Sequence, residues 1–188
     1  MNQLIRIAFI ILLFSSYNSS KAQASAESEV SKNSEETKIT EVVTTDSVPA
    51  AELVKRAVNW VKLENSKFKK TAGVSAGSKA ECIVSFGVRP KELNPQCDYT
   101  GKIQMKVIVE CKDSKYRYTI THIKHTSTNG KASAGSIDNI VPECGSMIMP
   151  DLTWKKLKGE AMKNAGLVVN DLKEGMTKLS TETPTEDW

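Results

Sequence analysis

The chain has 188 residues, enough for one domain with a sizeable core. Its 26 basic and 22 acidic residues give a net charge of +4, and the lysines are interleaved with acidic residues along the chain. This distribution argues against a domain that binds duplex nucleic acid by charge, because such domains usually carry a concentrated basic patch.

Residues 1–24 are typical of a secretory signal peptide. Arg6 precedes an uninterrupted apolar run over residues 7–14, and the sequence Ala-Gln-Ala then ends at Ala24 as a small-residue cleavage site. Cleavage before Ser25 leaves 24 basic and 22 acidic residues, a net charge of +2. We therefore expect an exported protein, periplasmic or extracellular, with no transmembrane segment in the mature chain.

The mature chain is predicted to begin with a spacer, a strand and a helix. Residues 25–38 are polar, and we expect them to be disordered because they contain too few apolar side chains to fold. The β-branched segment 39–43 predicts the first strand. A helix follows from Pro49, with Ser47 as its N-cap. The helical spacing of the apolar residues places Trp60 on the side that packs into the core.

Four strands are predicted after this helix. Residues 68–74 form a weak strand and residues 80–88 a stronger one, before a loop rich in Pro and Asn. Residues 102–120 contain two runs in which apolar and polar residues alternate. Between these runs, Asp113 and Ser114 have the position of a two-residue hairpin turn.

The register of this hairpin follows from matching the apolar positions of its two strands. Placing Lys112 opposite Lys115 pairs each apolar residue with an apolar or aromatic one, which a shift by one residue would destroy. On the other face, Glu110 and Arg117 form an exposed ion pair. The predicted pairs of the apolar face are Cys111 with Tyr116, Val109 with Tyr118, Val107 with Ile120, and Met105 with His122.

A long insertion and a helix complete the predicted domain, which spans residues 39–179. Residues 124–150 are rich in Gly, Ser and Asn, and such a loop is either mobile or functional. Residues 152–179 carry apolar side chains at helical spacing and predict a closing helix, or a broken pair of helices with a kink near Gly166. Residues 180–188 form a polar tail, and Trp188 has no predicted role.

This element order predicts an α+β fold, β-α-β-β-β-β-α, with one antiparallel sheet and two helices on one face. The helix with Trp60, the run Lys112–Ile120 (KDSKYRYTI) and the closing helix near Trp154 resemble a family of secreted bacterial domains of unknown function with a TATA-binding-protein-like fold. The resemblance covers residues 39–178 and implies the fold, but no activity and no catalytic residue. Ser114 stands where the family usually has glycine.

Four cysteines in an exported chain predict two disulfides. Cys82 and Cys111 both belong to the apolar face of neighbouring strands, so we expect the pair Cys82–Cys111. Cys97 and Cys144 lie in the two irregular loops and form the second expected pair. An alternative connectivity joins Cys111 to Cys144.

No motif for catalysis, cofactor binding or metal binding is evident, so we expect no catalytic residue, cofactor or metal. His122 and His125 lie three residues apart on a strand and should point to opposite faces, which excludes joint metal binding there. His122 is expected on the core face near Met105. It or a thiol would carry the chemistry of an alternative function, a small exported enzyme.

The sequence therefore predicts an exported, non-enzymatic binding or accessory module of the bacterial envelope, whose partner is a protein or a surface polymer. The candidate ligand face is the open face of the sheet, at Ile108, Arg117 and Ile123, together with residues 147–149 of the insertion. Nucleic-acid binding by analogy of fold ranks last, because acidic residues lie among the cations of that face.

Overall fold

The computed structural model describes residues 36–73, 75–90 and 98–178. The predicted signal peptide, most of the predicted spacer, Cys97 and the tail with Trp188 lie outside the described residues. The last three spacer residues, 36–38, are described and are bonded to the domain, which therefore extends at least to Glu36.

The described residues form one antiparallel sheet and two helices. The strands are β1 (Ile39–Thr44), β2 (Lys69–Ala72), β3 (Lys79–Val88), β4 (Gly101–Lys112), β5 (Lys115–Ser127) and β6 (Gly135–Ser136). The helices are α1 (Ala50–Lys62) and α2 (Asp151–Thr177). The strand order is β1-β5-β4-β3-β2, and the short β6 pairs with the second half of β5. The predicted fold class is confirmed.

One core lies between the sheet and the two helices. Along β4, every second side chain from Ile103 to Cys111 is buried, whereas the side chains between them are partly exposed. The helices contribute two buried tryptophans, whose indole N–H groups both have acceptors, as burial requires. Trp60 donates to Asp171 at 2.7 Å, and Trp154 donates to the carbonyl of Asn139 at 3.2 Å.

The predicted hairpin register is confirmed for the half of β5 that follows the turn. The pairs run as predicted from Lys112 opposite Lys115 to Val107 opposite Ile120. Arg117 donates from Nε and Nη2 to one carboxylate oxygen of Glu110, at 2.9 and 2.6 Å. The predicted cross-strand ion pair is therefore present on the exposed face.

The hairpin turn also caps α1, so the predicted N-cap at Ser47 is wrong. The helix begins at Ala50, whose backbone N–H donates to the Asp113 carboxylate at 2.8 Å. The neighbouring backbone N–H of Ser114 donates to the carbonyl of Val48 at 2.9 Å. A carboxylate at this position also interacts favourably with the positive end of the helix dipole.

A β-bulge in β5 makes the far end of the predicted register wrong. His122 and Ile123 together lie opposite Met105 alone, and His122 takes a positive φ of 53°. The extra residue shifts the alternation of side chains by one position. Ile123 and His125 are consequently buried, whereas His122 is exposed, the reverse of the prediction.

Helix α2 packs its C-terminal end closely against α1. A Cβ atom on Gly175 would lie 2.6 Å from Cδ1 of Trp60, so only glycine allows this approach. Gly159 and Gly166 lie on the exposed side, and a Cβ atom on either would meet nothing within 4 Å. Gly175 thus has a packing role that the other two lack.

This difference predicts opposite effects of alanine in one helix. Gly175→Ala should lower the free energy of unfolding by about 1–3 kcal/mol, because the added methyl group overlaps Trp60. Gly159→Ala and Gly166→Ala should each raise it by up to about 1 kcal/mol through helix propensity. Urea denaturation of the three variants measures these changes. A stabilising Gly175→Ala would contradict the described packing.

Candidate functional site

The insertion after β5 is folded onto the second half of that strand. Residues 124–127, which were predicted as part of the insertion, belong to β5. The insertion returns as β6, which pairs with Lys124 and His125. Beyond β6, the backbone N–H of Ile137 donates to the carbonyl of Ile123 at 3.0 Å. The insertion is therefore a bonded part of the domain.

His125 anchors the insertion from the core. Its side chain is buried, and its Nδ1 atom accepts the backbone N–H of Ala134 at 3.3 Å. Its Nε2 atom lies 3.2 Å from the carbonyl oxygen of Tyr99. Because a backbone N–H can only donate, the ring proton is assigned to Nε2 and the imidazole is neutral. Burial lowers the pKa of His125, while the hydrogen bond to Tyr99 opposes this shift.

Two further side chains hold other parts of the insertion. The buried Tyr99 donates its hydroxyl hydrogen to the carbonyl of Ile148. From α2, Trp154 and Lys158 both donate to the carbonyl of Asn139, the latter at 2.6 Å. These contacts come from the β3–β4 connection and from α2, so several elements position the insertion.

The fixed segment exposes several large apolar side chains. Met147 is 98% exposed and Ile140 is 87% exposed, although neighbouring Met149 is fully buried. Five of the nine large hydrophobic side chains that are exposed among the described residues lie between positions 140 and 152. We call these five the apolar patch: Ile140, Val141, Met147, Ile148 and Leu152. The concentration of exposed apolar side chains within thirteen consecutive residues makes this segment the candidate interaction surface.

Tight turns hold the backbone that carries the apolar patch. The N–H of Gly145 donates to the carbonyl of Pro142 at 2.8 Å. The carbonyl of Gly145 in turn accepts the N–H groups of Ile148 and Met149, at 3.1 and 3.0 Å. Binding through this segment therefore requires little further ordering of its backbone.

The open face of the sheet retains only part of the predicted ligand face. Ile108 is half-buried there, and Arg117 is exposed but bonded to Glu110. Ile123 is buried by the bulge, so its prediction as a ligand residue is corrected. From the sequence, Ile140 and Val141 are expected to dock part of the insertion onto the domain, but both are exposed.

Several cationic side chains on this open face are engaged in ion pairs. Lys79 and Lys106 both lie against the carboxylate of Glu81, Lys106 at 2.7 Å. These hydrogen bonds from Lys106 and Lys79 lower the pKa of Glu81. The face is therefore a mixed surface of paired charges and not a dense basic patch.

The described cysteines are free thiols, which corrects the predicted Cys82–Cys111 bridge and its alternative, Cys111–Cys144. Cys82 lies opposite Val107 in the β3–β4 register, four positions along β4 from Cys111. At about 3.3 Å per residue, this offset exceeds the Cα separation that a disulfide spans. Cys144 is half-buried and free, and its predicted partner Cys97 lies outside the described residues.

Burial makes two of these thiols poor nucleophiles. It raises the pKa of Cys82 to about 12 and the pKa of Cys111 to about 11. The thiolate is the reactive form of cysteine, and its population at neutral pH is very small at such values. Burial also raises the pKa of Cys144.

Lys70 is a buried cation that sequence reasoning missed. Its Nζ atom donates to the carbonyl of Trp60 at 2.6 Å and lies 3.6 Å from the carboxylate of Asp171. It also lies 4.6 Å from the centre of the Trp60 ring system. Burial lowers the pKa of Lys70, whereas Asp171 raises it. These contacts tie β2 to both helices.

The described residues contain no group of three or more His, Cys, Asp or Glu side chains arranged to hold a metal ion. No helix in this part of the chain is both long and apolar enough to cross a membrane.

Comparisons with known proteins identify the fold. Residues 40–126 match the family described as a domain of unknown function (DUF4468) with TBP-like fold. A TBP-like protein from Parabacteroides distasonis ATCC 8503 is similar in structure, with a TM-score of 0.53, 15% identity, and 79% of this chain and 96% of that chain covered.

A DUF4468 family protein from Bacteroides ovatus ATCC 8483 is also similar, with a TM-score of 0.53, 8% identity, and 78% of this chain and 89% of that chain covered. At these identities, the two structures show the fold alone. The comparison with curated proteins gave no match.

The thiol environments predict unequal alkylation. In the native protein, Cys82 and Cys111 should react with iodoacetamide at least about tenfold more slowly than Cys144, because both are fully buried whereas Cys144 is half-buried. Mass spectrometry of native and urea-unfolded samples measures the rates, and unfolding should equalise them. Equal labelling of Cys82 and Cys144 in the native protein would contradict the assignment.

Proposed function

We propose a function from the surface of this chain, because the family that residues 40–126 match is described only as a domain of unknown function with a TBP-like fold. The protein is an exported, non-enzymatic binding module of the bacterial envelope that docks to a protein partner through the apolar patch. The observation that carries this proposal is the near-complete exposure of Ile140 and Met147 on a backbone that hydrogen bonds hold in place.

The chemistry of the patch favours a protein over a sugar polymer. Its side chains are aliphatic or thioether groups, and methionine adapts its shape to irregular apolar surfaces. Sugar rings are commonly held by exposed aromatic rings. In the described part of the chain, every aromatic side chain is buried: Trp60, Phe68, Phe86, Tyr99, Tyr116, Tyr118 and Trp154.

The environments of the reactive side chains support a non-catalytic role. Cys82 and Cys111 are buried with raised pKa values, and both ring nitrogens of His125 face backbone partners. His122 is exposed at the bulge, where its Nδ1 atom lies 3.2 Å from Glu36. None of these groups lies on the apolar patch.

Export is part of the proposal and rests on the signal-like sequence of residues 1–24. The ion pairs on the open face of the sheet support a partner other than nucleic acid, because Glu81 and Glu110 neutralise nearby cations.

The double variant Ile140→Asp/Met147→Asp should bind its partner at least about tenfold more weakly. The reason is that two apolar side chains are replaced by charges that would be buried in the complex without counterions. The mature chain, residues 25–188, is coupled to a photocrosslinker at position 152 and exposed to envelope extract. Val42→Asp is the matched control, since Val42 is 56% exposed on the open face of the sheet.

The expected result is one envelope protein crosslinked to the wild type and to Val42→Asp, but not to the double variant. Urea denaturation confirms that all three proteins are folded. An unchanged crosslink to the double variant would contradict the proposal, as would crosslinking only to a second copy of this chain or to glycan.

A further inference from the structure

We propose that His125 makes the insertion pH-sensitive: the neutral ring holds the segment around Ala134 against β5, and protonation of the ring in mild acid releases it. The proposal depends on the proposed function in one respect only: it takes the presentation of the apolar patch as the property that is regulated. The contact between His125 and Ala134 follows from the geometry of the core alone.

Protonation removes the only acceptor atom of the ring. In the neutral form, Nδ1 accepts the N–H of Ala134 and Nε2 faces the carbonyl of Tyr99. An imidazolium carries a hydrogen on both nitrogens, so the Ala134 N–H would then face another N–H group. The contact with Tyr99 survives protonation, whereas the contact with Ala134 becomes repulsive.

The surroundings of His125 provide little compensation for a positive charge. In the sheet, His125 lies opposite the buried Ile103 of β4 on one side and opposite Gly135 of β6 on the other. The exposed carboxylate of Glu143 lies over Gly135, and the exposed Lys124 precedes the ring in the strand.

The described titratable groups do not offset burial. Burial is the main cause that lowers the pKa of His125, and the Tyr99 carbonyl is the one opposing cause. In the described part of the chain, no charged side chain on β4, β6, the β3–β4 connection or α2 contributes to this pKa shift. A charged ring is therefore more stable in water than in this core.

The release should be local, because other contacts hold the rest of the insertion. Tyr99 holds the carbonyl of Ile148, and α2 holds the carbonyl of Asn139. The segment most affected is the one around β6, where the contact of His125 with Ala134 is one of several bonds to β5. The carbonyl of Ala134 also accepts the N–H of Glu143 at 3.1 Å, so loosening this segment weakens one of the bonds that position the loop carrying the apolar patch.

The direction of the pH effect follows from the lowered pKa of the folded state. An opened segment lets the ring titrate near its ordinary pKa of about 6.5, so the open state binds more protons as the pH falls below that value. Opening then becomes more frequent by up to about tenfold per pH unit, until the pH reaches the pKa of the folded state. Above about pH 7, the ring is neutral in both states and the effect vanishes.

Hydrogen exchange measured by mass spectrometry on the mature chain tests this inference without any partner. Rates at pH 5.5 and 7.5 are corrected for intrinsic exchange. Protection of residues 132–137 should fall at the lower pH, by up to about tenfold, which is the limit that linkage sets between these two pH values. Protection of β3 and β4 should stay the same.

Two substitutions separate the histidines. His125→Gln should abolish the pH response of residues 132–137, because glutamine does not titrate. His122→Gln is the matched control and should keep the response, since the exposed His122 does not contact Ala134.

Equal protection of residues 132–137 at both pH values in the wild type would overturn the proposal. A pH response that persists in His125→Gln, or disappears in His122→Gln, would also overturn it. The wild type and His122→Gln remain decisive if His125→Gln does not fold. A failure here leaves the apolar patch untouched, because the crosslinking experiment is done at one pH and depends on other residues.

Discussion

One extra residue in β5, opposite Met105, exchanges the two faces of the strand beyond it. Before this bulge, the even-numbered residues of β5 point into the core; after it, the odd-numbered residues do. His122 adopts a positive φ at the bulge, which carries a conformational cost. The carboxylate of Glu36 stabilises the bulge by accepting hydrogen bonds from the Thr121 hydroxyl and the His122 backbone N–H. The position of every contact between β5 and the insertion depends on this change.

The proposed binding surface follows from the exchanged faces. The bulge brings His125 and Ser127 inward, where they meet backbone groups of the insertion: Ala134 donates to the imidazole, and Ala132 donates to the Ser127 hydroxyl. With the insertion held at this edge, its later turns expose the apolar patch. The site therefore belongs to the insertion and not to the open face of the sheet, where charges are paired.

Periodic patterns in the sequence predicted the two helices, the alternation of β4 and the hairpin up to Ile120, because local matching on two faces determines them. The bulge was missed, although the spacing of Ile120 and Ile123 by three residues breaks the alternation and was its one signal. The offset of Cys82 from Cys111 was not predictable, since a long connection does not determine strand register. Nor does composition distinguish the exposed Met147 from the buried Met149, which depends on tertiary contacts.

The most direct test of this account is nitrogen NMR of the two imidazole rings in the folded protein. The bulge predicts that His125 is a neutral Nε2–H tautomer, with a through-hydrogen-bond coupling between its Nδ1 atom and the amide of Ala134. It also predicts that His122 exchanges its ring protons rapidly with water. A His125 ring that exchanges rapidly and lacks this coupling, with His122 protected in its place, would contradict the bulge and the anchoring of the insertion.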